Sequence, residues 1–179
     1  AKKWHDAGFK DLTIAVNISA HQFKYGLLIN SVQKALQLSG LDPHKLELEL
    51  TETVLISGTE EVSNTLKELN KLGVKISIDD FGTGYSSFSY VKRFPIYKLK
   101  IDKMFIADAI KNKQDKAIII AMIVMGKSLG FKVLAEGIET TEQLEFLQAM
   151  GCEQGQGFLF SLPLPAKDCI SFFQKTFNS

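Results

Sequence analysis

Short runs of β-branched and aliphatic residues alternate along the chain with longer stretches of helical periodicity. This alternation is typical of βα units that stack on one parallel sheet, so we predict an α/β fold. The predicted strands are Leu12–Ile18, Leu46–Thr51, Val74–Asp79, Lys98–Asp102, Lys132–Glu136 and Gln154–Phe158.

Helices are predicted between the strands and after the last one. A glycine stands where several of them should stop, namely Gly40, Gly73, Gly130 and Gly151, as is common at helix ends. The segment before the first strand, Ala1 to Ala7, resembles the end of a further helix. The predicted helices are Leu27–Ser39, Glu60–Leu72, Ser86–Arg93, Gln114–Leu129, Thr141–Met150 and Ala166–Thr176.

Two strands alternate aliphatic with polar residues. Leucines form one face of Leu46–Thr51, and Glu47, Glu49 and Thr51 form the other; Lys75–Asp79 shows the same pattern. An antiparallel sheet with one solvated face would also explain this. A helix after every strand favours parallel strands whose aliphatic face packs on the helices. The polar face would then point into a TIM-like (β/α) barrel, here incomplete, with about six βα units and the first strands missing.

Parallel barrels carry their chemistry at the carboxyl ends of the strands. Carboxylate and amide oxygens gathered there, without thiolate or imidazole, favour Mg²⁺ or Mn²⁺, and they suffice for two ions ~3.5–4 Å apart that clamp a water and a phosphoryl group. A lysine at the same mouth could orient that water or offset phosphoryl charge. The strand-end residues are Asn17, Glu49, Asp79, Asp80, Lys100, Asp102, Glu136 and Gln156.

Six motifs, in order and over nearly the whole chain, resemble those of the EAL domain family. They are VNIS (16–19), ELTE (49–52), DDFGTGYSS (79–87), LKID (99–102), AEGIE (135–139) and QGFLFSLP (156–163). This resemblance implies hydrolysis of cyclic-di-GMP to linear pGpG in bacterial second-messenger signalling.

The resemblance also implies roles for single residues. Asn17, Glu49 and Asp79 correspond to ligands of a first metal, and Asp79, Asp80 and Glu136 to those of a second. Lys100 resembles a lysine that contacts the water, and Lys100 or Glu136 would assist its deprotonation. Gln156 resembles a contact to the substrate. Glu52 would anchor the loop Asp80–Ser87, which couples dimer contacts to the metals, and Glu139 and Asp102 would support the site.

One family motif is absent, because no Glu-Ala-Leu occurs in the chain. Since the resemblance gives that glutamate to the first metal, we expect residues 1–179 to be a single-domain fragment, the C-terminal three quarters of the barrel, with weak or no activity. The alternatives are a non-catalytic cyclic-di-GMP receptor and a dimerisation module. A homodimer would use the Asp80–Ser87 region, and the parent protein can carry GGDEF or sensor domains.

Composition limits the possible partners. A net charge of +1, with 21 basic and 20 acidic residues interspersed, provides no basic stripe for duplex nucleic acid. The most apolar stretch, Ala117 to Gly126, is shorter than the ~20 residues that span a bilayer, so we predict no membrane contact by this chain. Cys152 and Cys169 form no CxxC pair, and the histidines are scattered, which indicates reduced thiols in a cytoplasmic protein without zinc.

Each site residue also has a simpler explanation when taken alone. Asp79 and Asp80 could form a turn or helix cap, Asn17 could cap a turn, and Gln156 stands in a Gly-Gln-Gly turn. Only in combination do these residues favour a site. Glu47 is predicted to be structural. Core packing is predicted for Phe88, Phe94, Phe105, Phe146, Phe172 and Phe173, and buried filler roles for both cysteines.

Overall fold

Six parallel strands form one sheet in sequence order, β1 to β6. The computed structural model describes residues 1–24, 27–56, 60–84 and 91–177. The sheet confirms the predicted α/β class and the count of strands. The strands are β1 (Ile14–Ile18), β2 (Leu46–Thr51), β3 (Lys75–Phe81), β4 (Lys98–Ile101), β5 (Lys132–Ala135) and β6 (Gln154–Gly155).

Helices precede β1 and connect the strands. The predicted helix at Ser86–Arg93 lies mostly outside the described residues. Three short helices were not predicted, and each follows the carboxyl end of a strand, at Ala20–Lys24, Glu52–Ile56 and Lys103–Asp108. The helices are α1 (Lys2–Asp6), α2 (Ala20–Lys24), α3 (Leu28–Ser39), α4 (Glu52–Ile56), α5 (Glu60–Lys71), α6 (Lys103–Asp108), α7 (Lys113–Ser128), α8 (Thr141–Ala149) and α9 (Ala166–Phe177), with a 3₁₀ turn at Pro43–Lys45.

The aliphatic faces of the strands pack against the helices, as the alternation predicted. The sheet side of this core includes Leu48, Leu50, Ile76, Ile78, Leu99 and Ile101, and the helix side includes Leu66, Leu69, Ile119 and Ile123, all almost fully buried. In α7, Gly126 lets the helix approach the sheet, because a Cβ there would lie 2.8 Å from Val133 Cγ2. Removing this hydrophobic surface from water is the main stabilising contribution to the sheet.

The helix ends carry the glycines that the sequence predicted there. Gly40, Gly73, Gly130 and Gly151 all have positive φ angles, between 65° and 91°. At the start of α8, the Thr140 hydroxyl accepts a hydrogen bond from the Gln143 amide, and the Gln143 side chain accepts one from the Thr140 amide. Such a capping box satisfies amides that have no partner within the helix.

The predicted core aromatics fall into two groups. Phe94 and Phe105 are buried, whereas Phe146, Phe172 and Phe173 are only half-buried. Phe173 meets the ring of Trp4 edge-on at a centroid distance of 5.4 Å, so α9 packs near α1. Phe88 lies outside the described residues.

The sheet is open, with β1 and β6 as its edges among the described residues. The middle of β1 is exposed, including Val16 at 42%. The prediction of an incomplete barrel is thereby confirmed. No helix in the described ranges is long and apolar enough to cross a membrane.

Candidate metal centre

A bulge in β3 turns two consecutive aspartates toward one site at the carboxyl ends of the strands. Pairing between β3 and β4 shifts register between Ile78 and Phe81, and Asp80 has a left-handed backbone with φ of 53°. The Asp80 carbonyl accepts hydrogen bonds from the Thr83 amide (3.3 Å) and hydroxyl (2.8 Å). In a regular strand, neighbouring side chains point to opposite faces. The bulge therefore allows Asp79 and Asp80 to share one site.

Glu136 joins this pair from the end of β5. One carboxylate oxygen from each of Asp79, Asp80 and Glu136 lies within 4.8 Å of the others. All are oxygen donors, which suit hard divalent cations such as Mg²⁺ and Mn²⁺. The donor set and its spacing fit a metal ion.

Lys100 lies at the centre of the carboxylates. Its ammonium nitrogen is 2.9 Å from Glu49 Oε2, 2.8 Å from Asp79 Oδ1 and 2.8 Å from Glu136 Oε1. Burial lowers the pKa of Lys100, but hydrogen bonds to the three carboxylates outweigh it and hold the pKa above its ordinary value. Lys100 is therefore a permanent cation in this arrangement.

Two of the carboxyl groups hold protons more readily than usual. A hydrogen bond with Asp102, partial burial and the nearby charge of Asp79 raise the pKa of Asp80 to about 6. Burial raises the pKa of Glu136, although the hydrogen bond from Lys100 opposes this. The three carboxylates that contact Lys100 outnumber its one ammonium group, which favours binding of a further cation.

Asn17 completes the group from β1. One terminal atom of its amide lies 3.3 Å from Glu49 Oε2 and 3.2 Å from Asp79 Oδ2. As an amino group this atom would donate to both carboxylates. Rotated by 180°, the amide would instead direct its oxygen at the same place and act as a further metal ligand. The position of Asn17 fits a metal-ligand set with Glu49 and Asp79.

Glu52 lies beneath the loop that follows Asp80. Its buried carboxylate accepts hydrogen bonds from the amides of Gly82 (3.1 Å) and Gly84 (3.3 Å). A Cβ at Gly84 would lie 2.8 Å from Glu52 Oε1, so only glycine allows this approach. The position of Glu52 fits the predicted role of loop anchor, although residues 85–87 of the loop lie outside the described ranges.

The remaining predicted residues line a cleft beside the cluster. Asp102 caps α6 by accepting a hydrogen bond from the Met104 amide at 2.7 Å. The cleft has a volume of about 370 Å³. Its lining comprises Asp80, Asp102, Lys103, Glu136, Gly137, Glu139, Gln156, Gly157 and Phe158.

The sequence did not indicate every residue of this region. Lys103 and Phe158 line the cleft but were not predicted as site residues. The bulge was also missed, although two adjacent aspartates at a strand end were its signal. Glu47, predicted to be structural, is buried and pairs with Lys98 at 2.9 Å, one layer below the cluster.

The fold and site define a parallel α/β protein with an acidic mouth suited to divalent metals. The EAL domain family profile matches residues 1–163. MucR of Pseudomonas aeruginosa, a bifunctional diguanylate cyclase/cyclic di-GMP phosphodiesterase, is 45% identical over 168 residues, covering 94% of this chain and 24% of MucR. The chain therefore spans about a quarter of this relative. It belongs to the EAL domain family.

Comparison with solved structures also shows similarity to EAL domains. The PaMucR phosphodiesterase in its c-di-GMP complex superposes with a TM-score of 0.90 at 45% identity, covering 94% of this chain and 68% of that one. BlrP1 of Klebsiella pneumoniae, in a manganese and cy-diGMP complex at pH 9.0, gives a TM-score of 0.82 at 32% identity. The match covers 90% of this chain and 42% of that one. These similarities support the EAL fold over most of the chain.

Proposed function

We propose that this EAL domain forms part of a phosphodiesterase that hydrolyses cyclic-di-GMP to pGpG in bacterial signalling. The observation that carries the proposal is the gathering of Glu49, Asp79 and Glu136 around Lys100 at the carboxyl ends of parallel strands. Asn17 lies beside two of these carboxylates. MucR is named for this activity, and its structure holds c-di-GMP. The shared family and the similarity of fold support carrying the activity over.

Two divalent ions, Mg²⁺ or Mn²⁺, are proposed as cofactors. Asn17, Glu49 and Asp79 would hold one, and Asp79, Asp80 and Glu136 the other. When bound, such ions polarise the phosphoryl group and lower the pKa of an attacking water. The manganese in the BlrP1 complex supports a divalent metal in this fold.

Lys100 and Glu136 are proposed to have different roles in catalysis. A water would attack one phosphorus, the bond from that phosphorus to the ribose 3′ oxygen would break, and the water proton would pass to a base. The released 3′ oxygen would take up a proton and become the free hydroxyl of pGpG. The raised pKa of Lys100 keeps it protonated, so it would orient the water and offset phosphoryl charge. The raised pKa of Glu136 makes that carboxylate the better proton acceptor.

We propose little or no turnover by the 179 residues alone. No Glu-Ala-Leu occurs in them, and Asn17, a proposed ligand of the first ion, stands on the exposed edge strand β1. A site with fewer ligands and an exposed edge would hold its first ion weakly. The whole protein would have the complete activity.

The test is incubation of the whole protein and of the 179-residue chain with cyclic-di-GMP and Mn²⁺, followed by chromatography for pGpG. We expect turnover by the whole protein that Asp79→Asn reduces at least ~100-fold, since it removes a direct ligand. Asp115→Asn, an acid on α7 away from the site, serves as the matched control. Absence of pGpG from the whole protein would contradict the proposal.

Calorimetry on the same samples separates the alternative of a non-catalytic receptor. Binding of cyclic-di-GMP by the whole protein without pGpG would favour that alternative. Robust hydrolysis by the 179 residues would instead contradict the proposed loss of activity. Chromatography for pGpG and calorimetry of cyclic-di-GMP binding together distinguish these outcomes.

A homodimer through the region 80–87 also remains a proposal. The Glu52 carboxylate, which joins the start of this loop to the end of β2, supports a link between the loop and the metal ligand Asp80. Light scattering of the wild type and of Glu52→Gln tests it. We expect a dimer for the wild type and a larger monomer fraction for the variant.

A further inference from the structure

Gln143 is a buried polar side chain on α8 that has no role in the proposed reaction. It is 7% exposed, and it makes more hydrogen bonds than a helix cap requires. Its Oε1 accepts the capping bond from the Thr140 amide at 3.0 Å, and also a bond from the Glu139 amide at 2.8 Å. Its Nε2 donates to the Ile106 carbonyl oxygen at 3.1 Å. This last bond connects α8 to α6, which lies 37 residues earlier in the chain.

The loop that these bonds hold carries a proposed metal ligand. Residues 136–140 connect β5 to α8, with Glu136 at the start of the loop and the two amides that bind Gln143 at its end. Near the start, Gly137 packs on α6, because a Cβ there would lie 2.5 Å from Lys103 Cβ. The loop is therefore fixed to α6 at two points, the Gly137 backbone and the Gln143 side chain.

The helix α6 supports a second proposed metal ligand. Asp102 caps this helix, and its side chain is hydrogen-bonded with that of Asp80. Ile106, whose carbonyl oxygen accepts the bond from Gln143, is fully buried, so α6 is packed firmly into the core. Gln143 thus joins the support of Asp80 to the support of Glu136.

We propose that Gln143 is a positioning residue that sets the spacing of Asp80 and Glu136 and thereby the affinity for the second divalent ion. One carboxylate oxygen of each lies within 4.8 Å of the other. A shift of the loop relative to α6 would change this distance. Partners that orient metal ligands contribute about 10- to 100-fold to metal affinity. This inference rests on the proposed function, since it takes the two-ion site from it.

Only an amide side chain satisfies all three partners of Gln143. A glutamate would accept from the same two backbone amides and would complete a capping box equally well. When ionised, however, it has no hydrogen to donate to the Ile106 carbonyl oxygen. Gln143→Glu therefore keeps the cap of α8 and removes the link to α6.

The first test is calorimetry of Mn²⁺ binding to the whole protein without cyclic-di-GMP. Gln143→Glu should weaken binding of the second ion about tenfold, and Gln143→Met, which has a similar size but no amide, should weaken it at least as much. Thr140→Ala is the matched control, because it removes the other half of the capping box and leaves the three side-chain bonds of Gln143. It should change the affinity less than about twofold.

Melting curves in EDTA show that this difference is not a general loss of stability. Gln143→Glu and Thr140→Ala should both lower the melting temperature slightly, because each variant loses one hydrogen bond near the start of α8. Only the Gln143 variants should lose Mn²⁺ affinity. If Thr140→Ala weakened Mn²⁺ binding as much as Gln143→Glu, the inference would be overturned.

A double-mutant cycle with Asp80→Asn tests whether Gln143 acts through the second ion. Asp80→Asn alone should weaken binding of that ion, since it alters a proposed ligand. Gln143→Glu should add little in this background, because the spacing that it sets would no longer matter. Fully additive losses would mean that Gln143 does not act through Asp80, and would overturn the inference.

Hydrolysis assays keep this inference separate from the proposed function. For Gln143→Glu, the Mn²⁺ concentration that gives half-maximal turnover should rise about tenfold, and saturating Mn²⁺ should restore most of the turnover. Formation of pGpG with unchanged Mn²⁺ binding by both Gln143 variants would overturn the positioning role alone. A whole protein that binds Mn²⁺ but forms no pGpG would overturn the function, and weaker Mn²⁺ binding by the variants would still support the positioning role. A whole protein that binds no Mn²⁺ would overturn both.

Discussion

Two layers of charged side chains project from the polar face of the sheet, and they differ in balance. The lower layer consists of Glu47 and Lys98, paired at 2.9 Å with side chains 3% and 12% exposed. The upper layer consists of Glu49, Asp79, Glu136 and Lys100, where one ammonium contacts three carboxylates at 2.8 to 2.9 Å. The same residue types, two positions further along the strands, thus form two different electrostatic arrangements.

The difference separates a structural pair from the candidate metal site. In the lower layer, one charge neutralises one charge, although Glu47 Oε1 has no hydrogen-bond partner among the described residues. In the upper layer, three carboxylates contact one ammonium group, so negative charge exceeds positive charge. A bound divalent cation would reduce this excess of negative charge. Metal should therefore stabilise the upper layer and leave the lower one unaffected.

The largest expected effect is on the lower layer. Lys98→Met leaves Glu47 buried without its cation, which should lower the free energy of unfolding by about 3–5 kcal/mol. Chemical denaturation with and without Mn²⁺ measures this. The loss should be the same in both conditions, because the proposed metal ligands lie outside the lower layer.

Lys111→Met is the control for this change, since it removes an exposed lysine with no ion pair in the described structure. It should alter stability by less than about 0.5 kcal/mol. If Mn²⁺ restored the stability of Lys98→Met, the two layers would not be independent, and the comparison would fail.

A smaller effect is expected from the metal itself. At a Mn²⁺ concentration ~100-fold above its Kd, the wild type should gain about 2.7 kcal/mol of stability. Asp79→Asn should lose most of this gain, whereas Glu47→Gln should keep it, although the glutamine variant starts from lower stability. Equal gains in the two variants would place the metal outside the upper layer.

Lys100→Met tests whether the metal can replace the central cation. In metal-free buffer we expect a loss of about 2 kcal/mol, less than for Lys98, because the carboxylates of the upper layer retain some contact with water. Mn²⁺ should recover most of the loss, since the oxygen ligands remain. Melting curves of this variant with Mn²⁺ and with EDTA provide the measurement. A loss that Mn²⁺ leaves unchanged would mark Lys100 as a structural residue like Lys98.

The layers themselves could be predicted in part from the sequence. The alternation in Leu46–Thr51 placed Glu47 and Glu49 on one face, and the parallel arrangement put that face away from the helices. The residues at strand ends then indicated which side chains would meet. Burial of Leu48 and Leu50 agrees with this reasoning, because a period of two has only one register that buries the leucines.

The pairings within the layers could not be predicted. Glu47 lies on β2 and Lys98 on β4, and β3 separates them. The side chains meet across β3 beside Ser77, a small buried residue that is in register with Lys98. Likewise, two adjacent aspartates at a strand end were the signal of the bulge that places Asp80 beside Asp79, but the alternation of residues did not specify it. Both features depend on three-dimensional register and local backbone strain, which periodicity alone does not determine.

The smallest expected effect is a dependence of metal binding on pH. The pKa of Asp80 is raised from 3.8 to about 6, so without metal its protonated form is favoured in the folded state. Its contribution to stability is then present below pH 3.8 and is lost as the pH rises through about 6. Metal binding has the opposite sign, because the ion must displace this proton.

Affinity for Mn²⁺ should therefore weaken about tenfold between pH 7 and pH 5, which corresponds to about 1.4 kcal/mol. Calorimetric titration at several pH values measures it, and proton release in buffers of different ionisation enthalpy provides a second measure. Asp108→Asn, an exposed acid outside the upper layer, should leave the profile unchanged. A flat profile in the wild type would show that Asp80 is already ionised before metal binds, and that its hydrogen bond with Asp102 and its partial burial do not hold a proton there.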